Sequence, residues 1–142
     1  MSDSLEGIEG WIKDTLESLS PQKRAKALRQ IGTHLRKSTQ GRISRQVGPD
    51  GSKWKARRNG KRTKMMKGLR LGRNLKVRSS SQHVSVGWSG KTGGIARVHH
   101  YGLRDRVSKK GVRVKYESRE LLGLSGDDVD AVSEIIEDLV TE

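Results

Sequence analysis

Three features of this sequence could carry chemistry: four histidines, a GKT tripeptide and a long acid-free run of cations. The histidines are His34, His83, His99 and His100. None stands at His-x-x-x-His or His-Glu-x-x-His spacing. Neighbours such as His99 and His100 cannot both face one metal from a regular helix or strand. Asp105 is the only acid within ten residues of that pair, and the chain has no cysteine. Thiolate metal sites and disulfide staples are therefore excluded. The tripeptide Gly90-Lys91-Thr92 lacks the glycine that a phosphate loop needs five residues before its GK glycine, because Ser85 stands there. No serine sits in a nucleophile-elbow context, and the acids cluster in predicted terminal helices. We therefore expect no enzyme, no metal and no cofactor.

What remains is charge. Between Lys53 and Arg78 there are twelve Lys and Arg and no acid. A segment that repels itself in this way calls for an anionic partner. Arg57, Arg58, Lys61, Arg62, Lys64 and Lys67 are the candidate contact residues, with acidic protein surfaces or DNA. Trp54, His99, Tyr101 and Gly102 are the candidate anchors that position them, by packing and hydrogen bonding at the loop's edge. No helix-turn-helix, zinc or RNA-sheet signature accompanies the run, so any nucleic-acid contact would be independent of sequence.

The chain has 142 residues and a net charge of +14. Residues 1–20 carry a net −4, residues 21–119 a net +26 and residues 120–142 a net −8. So polarised a molecule attracts either its own kind or phosphate. Apolar residues make up 31% and Phe is absent, which predicts a small aliphatic core completed by partner contacts. No apolar run approaches the roughly 18 residues needed to span a bilayer. The acidic N-terminus does not read as a signal peptide. A soluble protein with no membrane partner is expected.

The elements that must position these residues follow from periodicity. Leu5, Ile8, Trp11, Ile12, Leu16 and Leu19 share one helical face over residues 3–19. That helix covers the core or, failing that, serves as an arm to a neighbouring subunit. Ser20-Pro21 ends it and starts a second helix over residues 21–47, weakened at Gly32 or Gly41. Its apolar line is Ala25, Leu28, Ile31, Leu35 and Ile43. Gly48-Pro49-Asp50-Gly51-Ser52 is a turn. A long flexible basic loop comes next, with a short helix near Lys64–Leu69. Alternation predicts a hairpin from Leu75–Arg78 and Val84–Trp88, and a third strand at Val112–Tyr116. Ser89–Gly94 reads as a flexible turn, Ile95–Tyr101 as a short helical turn stopped by Gly102, and Leu103–Gly111 as a basic loop. Val129, Val132, Ile135, Ile136, Leu139 and Val140 line a last, acidic helix opening at Ser125, with Asp127, Asp128 and Asp130 near its N-terminus. The fold class is α+β: two N-terminal helices, a small antiparallel sheet with a long basic loop, and a C-terminal acidic helix. Residues 1–20 form an amphipathic helix or arm, and residues 21–142 the main domain.

The blocks GRISRQVGPDGSKW, KMMKGLRLGRNLKVR, VSVGWSG and IARVHHYGLRDR, then Tyr116 with RELLGLS, occur in this order over residues 41–124. In order and spacing they resemble the phage virion-morphogenesis or tail-completion family. Gly48 stands where that family commonly has Asn in NPDG-x-x-W, and glycine suits the same turn. The resemblance implies a structural virion protein that completes the tail and allows head–tail joining. It implies a homo-oligomeric ring, expected to be six-fold, at the neck or tail end. The partners it implies are other neck, tail or connector proteins and DNA in the channel. Assembly in the host cytoplasm and residence in the virion follow. In such a ring, each basic middle would face a neighbour's acidic terminal helix. A tail terminator or tube-capping subunit is a related reading. A sequence-independent nucleic-acid-binding protein is the reading from another class.

Overall fold

A computed structural model describes residues 2–106 and 111–142. The centre of the predicted Leu103–Gly111 loop lies outside the described residues, as does the side chain of Leu5. The order of elements is α1 (Ser2–Ser18), α2 (Pro21–Arg45), a 3-10 turn (Lys67–Arg70), β1 (Lys76–Ser79), β2 (Val84–Gly87), α3 (Gly90–Tyr101), β3 (Arg104–Arg106), β4 (Arg113–Lys115) and α4 (Gly126–Val140). The class is α+β, with both N-terminal helices and the C-terminal helix where periodicity placed them. The chain divides into two compact units.

The first unit comprises Met1–Leu35, Val77–Val86 and Gly126–Glu142. Its core is Ile31 of α2 with Val132 and Ile136 of α4, and Ile12, Leu16, Leu35, Val84 and Ile135 pack around it. Full burial of such an aliphatic side chain is worth about 1.5–3 kcal/mol, so a handful of them holds three helices and a hairpin. Gly32 does not loosen α2, which runs unbroken. A Cβ there would lie 2.5 Å from Val77 Cγ1 and 2.8 Å from Val84 Cγ2, so its bare backbone lets the β1–β2 hairpin approach the helix. Arg24 Nε donates to Ser81 O at the hairpin tip, 2.6 Å away. Asp128 is 1% exposed, and its Oδ1 meets His34 Nε2 at 3.0 Å, which ties α4 to α2. The acid predicted to serve the helix dipole therefore also serves the core.

The second unit comprises Arg36–Lys76 and Gly87–Ser125. Ile43, Trp54, Leu69, Ala96 and Leu121 are its buried cluster, with Met65, Met66 and Trp88 against it. The Trp88 indole N–H donates to Leu69 O at 2.8 Å. Arg42 is buried beside them. Its guanidinium donates to Ser38 Oγ at 2.8 Å and to the carbonyls of Leu121 and Gly123 at 3.4 and 3.2 Å. A buried cation needs such acceptors to offset its desolvation.

Two expectations about the elements are corrected. The three predicted strands do not form one sheet. The strands pair as two separate antiparallel ribbons, β1–β2 and β3–β4. β4 finds its partner in Arg104–Arg106, with Arg104 opposite Lys115 and Arg106 opposite Arg113, inside the stretch read as a basic loop. An Arg-Asp-Arg strand has no apolar alternation to announce it. Helix α3 also begins five residues before the predicted helical turn, at Gly90, within the stretch read as a flexible turn. Its glycines lower helix propensity, but Gly93 lies against Trp88, where a Cβ would come 2.9 Å from the carbonyl oxygen. The predicted short helix near Lys64–Leu69 is the 3-10 turn Lys67–Arg70.

Candidate assembly surface

The turn before the basic loop is built by its own side chains. Asp50 Oδ1 accepts from Ser52 N at 2.9 Å and from Ser52 Oγ at 2.6 Å, and Gly51 takes φ 86°. The two Ser52 bonds hold the Asp50 carboxyl below its ordinary pKa. Val47 and Lys53 then pair across the turn. This delivers Trp54, whose backbone N–H donates to Gln46 O at 2.9 Å and whose indole N–H donates to Glu120 O at 3.0 Å.

Residues 55–66 follow as an irregular segment with both ends fastened. Arg119 closes the first end: Nε donates to Lys55 O at 3.0 Å and a terminal nitrogen to Ala56 O at 3.2 Å. Burial lowers the Arg119 pKa, with Glu117 opposing the effect. Gln46 closes the second end. Its Oε1 accepts from Met65 N at 2.7 Å, and its Nε2 donates to Met65 O at 2.9 Å. That double amide bond mimics a strand pair in one side chain. Gln46 itself has φ 60°, a strained value for a non-glycine residue at the end of α2.

The six candidate cations fall into two groups. Arg57 donates to the carbonyls of Thr63 and Lys64, each at 3.2 Å, folding the loop on itself. Arg58 donates to Lys115 O at 3.2 Å and lies 3.7 Å from Glu117. Lys61, Arg62, Lys64 and Lys67 are exposed, and their side chains have no partner among the described residues. Among the described residues, the loop and the 3-10 turn after it therefore present four unpaired cations on a tethered frame.

The anchors lie at the end of α3. Gly102 is buried with φ 66°, and its N–H donates to Val98 O as the helix cap. A Cβ there would come 2.8 Å from Ser118 N and 3.0 Å from Tyr116 O. His99 packs edge-on against Tyr116 with ring centroids 5.0 Å apart, and its backbone carbonyl accepts from Arg119 N at 2.7 Å. Burial, with a smaller push from Arg119, lowers the His99 pKa. Its Nδ1 is buried without a hydrogen-bond partner among the described residues. Tyr101 is 64% exposed, with its ring edge-on to His100 at 4.6 Å.

Sequence reasoning overlooked Gln46, Glu117 and Arg119, and weighed His100 only as a metal ligand. His100 Nδ1 accepts from Leu121 N at 3.1 Å, so it holds the returning chain on α3. Glu117 bonds Lys55 Nζ at 3.2 Å, and that bond and charge, with Arg58 and Arg119 adding, lower its pKa. Their residue types gave no signal, because Gln46, His100 and Arg119 act through backbone groups, and Glu117 through side chains, distant in the chain.

Between the loop and β4 lies a cleft of about 470 Å³. Met65, Met66, Val114 and Tyr116 give it apolar lining, and Arg57, Arg58, Lys115 and Arg119 give it cations. Among the described residues no group of three His, Cys, Asp or Glu could hold a metal ion. No helix among them is long and apolar enough to cross a membrane. The arrangement can bind anions and seat an apolar side chain.

The model of the phage virion morphogenesis family matches residues 3–141. The tail completion protein S of Escherichia phage P2 is 36% identical over 138 residues, covering 91% of this chain and 92% of that protein. No solved structure matches the chain.

Proposed function

The chain belongs to the phage virion morphogenesis family, and from that we propose that it completes the phage tail so that tail and head can join. The observation that carries this is the near end-to-end match to a tail completion protein, which leaves almost none of either chain unaccounted for. In this reading the protein is structural, not an enzyme. It acts as a homo-oligomeric ring at the neck or tail end, against other tail, neck or head proteins. The candidate cations support a binding role. Lys61, Arg62, Lys64 and Lys67, unpaired among the described residues, make the assembly contacts, with acidic protein surfaces or channel DNA. Arg57 and Arg58 hold the loop in the shape that presents them. Trp54, His99 and Gly102 anchor that frame, and Tyr101 stands at its surface. Residues 1–20 act as a helix or arm beside the main domain.

The test is a phage in which a stop codon removes this protein. Electron micrographs of its lysate are expected to show DNA-filled heads and separate tails. Infectious, normally joined particles would refute the proposal.

A further inference from the structure

The cleft beside the basic loop is unbalanced in charge. Among the described lining residues Glu117 is the only acid, and it is shared between Lys55 and Arg58. Against it stand Arg57, Arg58, Lys115 and Arg119. The three guanidinium groups are fixed by backbone carbonyls, which accept hydrogen bonds but bring no full negative charge. Groups held in place this way lose little freedom when a partner arrives. The volume falls within the roughly 300–1,000 Å³ typical of binding sites, and Met65 and Met66 offer an adaptable apolar floor.

The same chain carries the complement. On α4, Asp127, Asp130, Glu134, Glu137 and Asp138 are exposed, and their side chains have no partner among the described residues. Their spacing places them along one stripe of the helix. Val140, 49% exposed, lies in the last turn at the border between that stripe and the buried face. The opposite face, with Val132, Ile136 and Leu139, is buried in its own unit. The acidic stripe can therefore dock without unfolding anything.

We propose that the cleft receives the acidic C-terminal helix of a second copy of this chain, with Val140 on the methionine floor and the stripe against the cationic rim. This rests on the ring reading above and names its contact. Repeated head to tail, the contact is heterologous and so generates a ring when the rotation closes. A DNA backbone fits less well, because it has no aliphatic side chain to insert against Met65 and Met66.

The test uses full-length protein and light scattering. One variant reverses the rim at a side chain that holds no part of the loop (Lys115→Glu) and another the stripe (Glu134→Lys, Glu137→Lys). Each alone is expected to weaken self-association about tenfold or more, since like charges then face each other. Mixing the two variants is expected to restore association, because each then offers what the other lacks. Restoration on mixing also excludes misfolding as the cause of the loss. A wild-type protein that stays monomeric at high concentration would overturn the proposal, as would association indifferent to both reversals. So would loss in the rim variant alone, accompanied by competition from duplex DNA. None of these outcomes touches the joining defect expected in phage lacking the protein, so the contact can fail while tail completion stands.

Discussion

At the scale of single residues, Gly102 carries two constraints at once. Its φ of 66° costs a side-chain-bearing residue about 1–2 kcal/mol, and a Cβ would press on the Ser118 and Tyr116 backbone. Gly102→Ala is therefore expected to cost more than that conformational figure alone, measured by denaturant unfolding. His99 makes a prediction about pH. Burial lowers its pKa in the folded protein, so the unfolded chain takes up its proton at higher pH. This contribution to stability is present above the ordinary imidazole pKa and is lost as pH falls from there toward the lowered value. In His99→Gln the slope of unfolding free energy in that window should flatten, and an unchanged slope would count against the assignment. Gly102 was legible as a helix stop in the sequence. Gln46, His100 and Arg119 were not, because their partners are backbone groups 19 to 64 residues away.

At the scale of elements, α1, α2, α4, the β1–β2 hairpin and β4 were legible, while β3 and the start of α3 were not. The apolar spacing of α1, α2 and α4 follows one period, and burial keeps one face of each. The missed strand, β3, is three residues long and wholly charged, so its pairing with β4 decided it rather than alternation. Helix α3 was hidden by its glycines, of which Gly93 serves close approach to Trp88. The basic loop was visible as charge, but its tethers were invisible. Its anchor Trp54 joins the buried cluster and bonds Glu120. Trp54→Ala is expected to destabilise the protein by about 3–5 kcal/mol, seen as a lower melting temperature. An unchanged melting temperature would remove Trp54 from that role.

At the scale of the whole molecule, charge is segregated along the chain, with acidic ends around a strongly basic middle. That segregation was fully legible, and it is the property a charged assembly contact requires. Replacing Lys61, Arg62, Lys64 and Lys67 together by Gln should leave melting nearly unchanged, because surface changes away from packing typically alter stability by under about 0.5 kcal/mol each. The same variant should lose most of its assembly activity, read as plaque yield when it replaces the natural protein in the phage. Full yield would show that the four free cations are not the contact. The replacement spares Arg57 and Arg58, whose loss would confound the loop's shape with its charge.

The central claim is tail completion, and a joining reaction in vitro tests it most directly. Filled heads and tails would be purified from phage lacking this protein and mixed with or without the purified chain. Joined particles would then be counted by electron microscopy and by infectivity. The account predicts that joining and infectivity appear only when the protein is added. Equal joining without it would contradict the account.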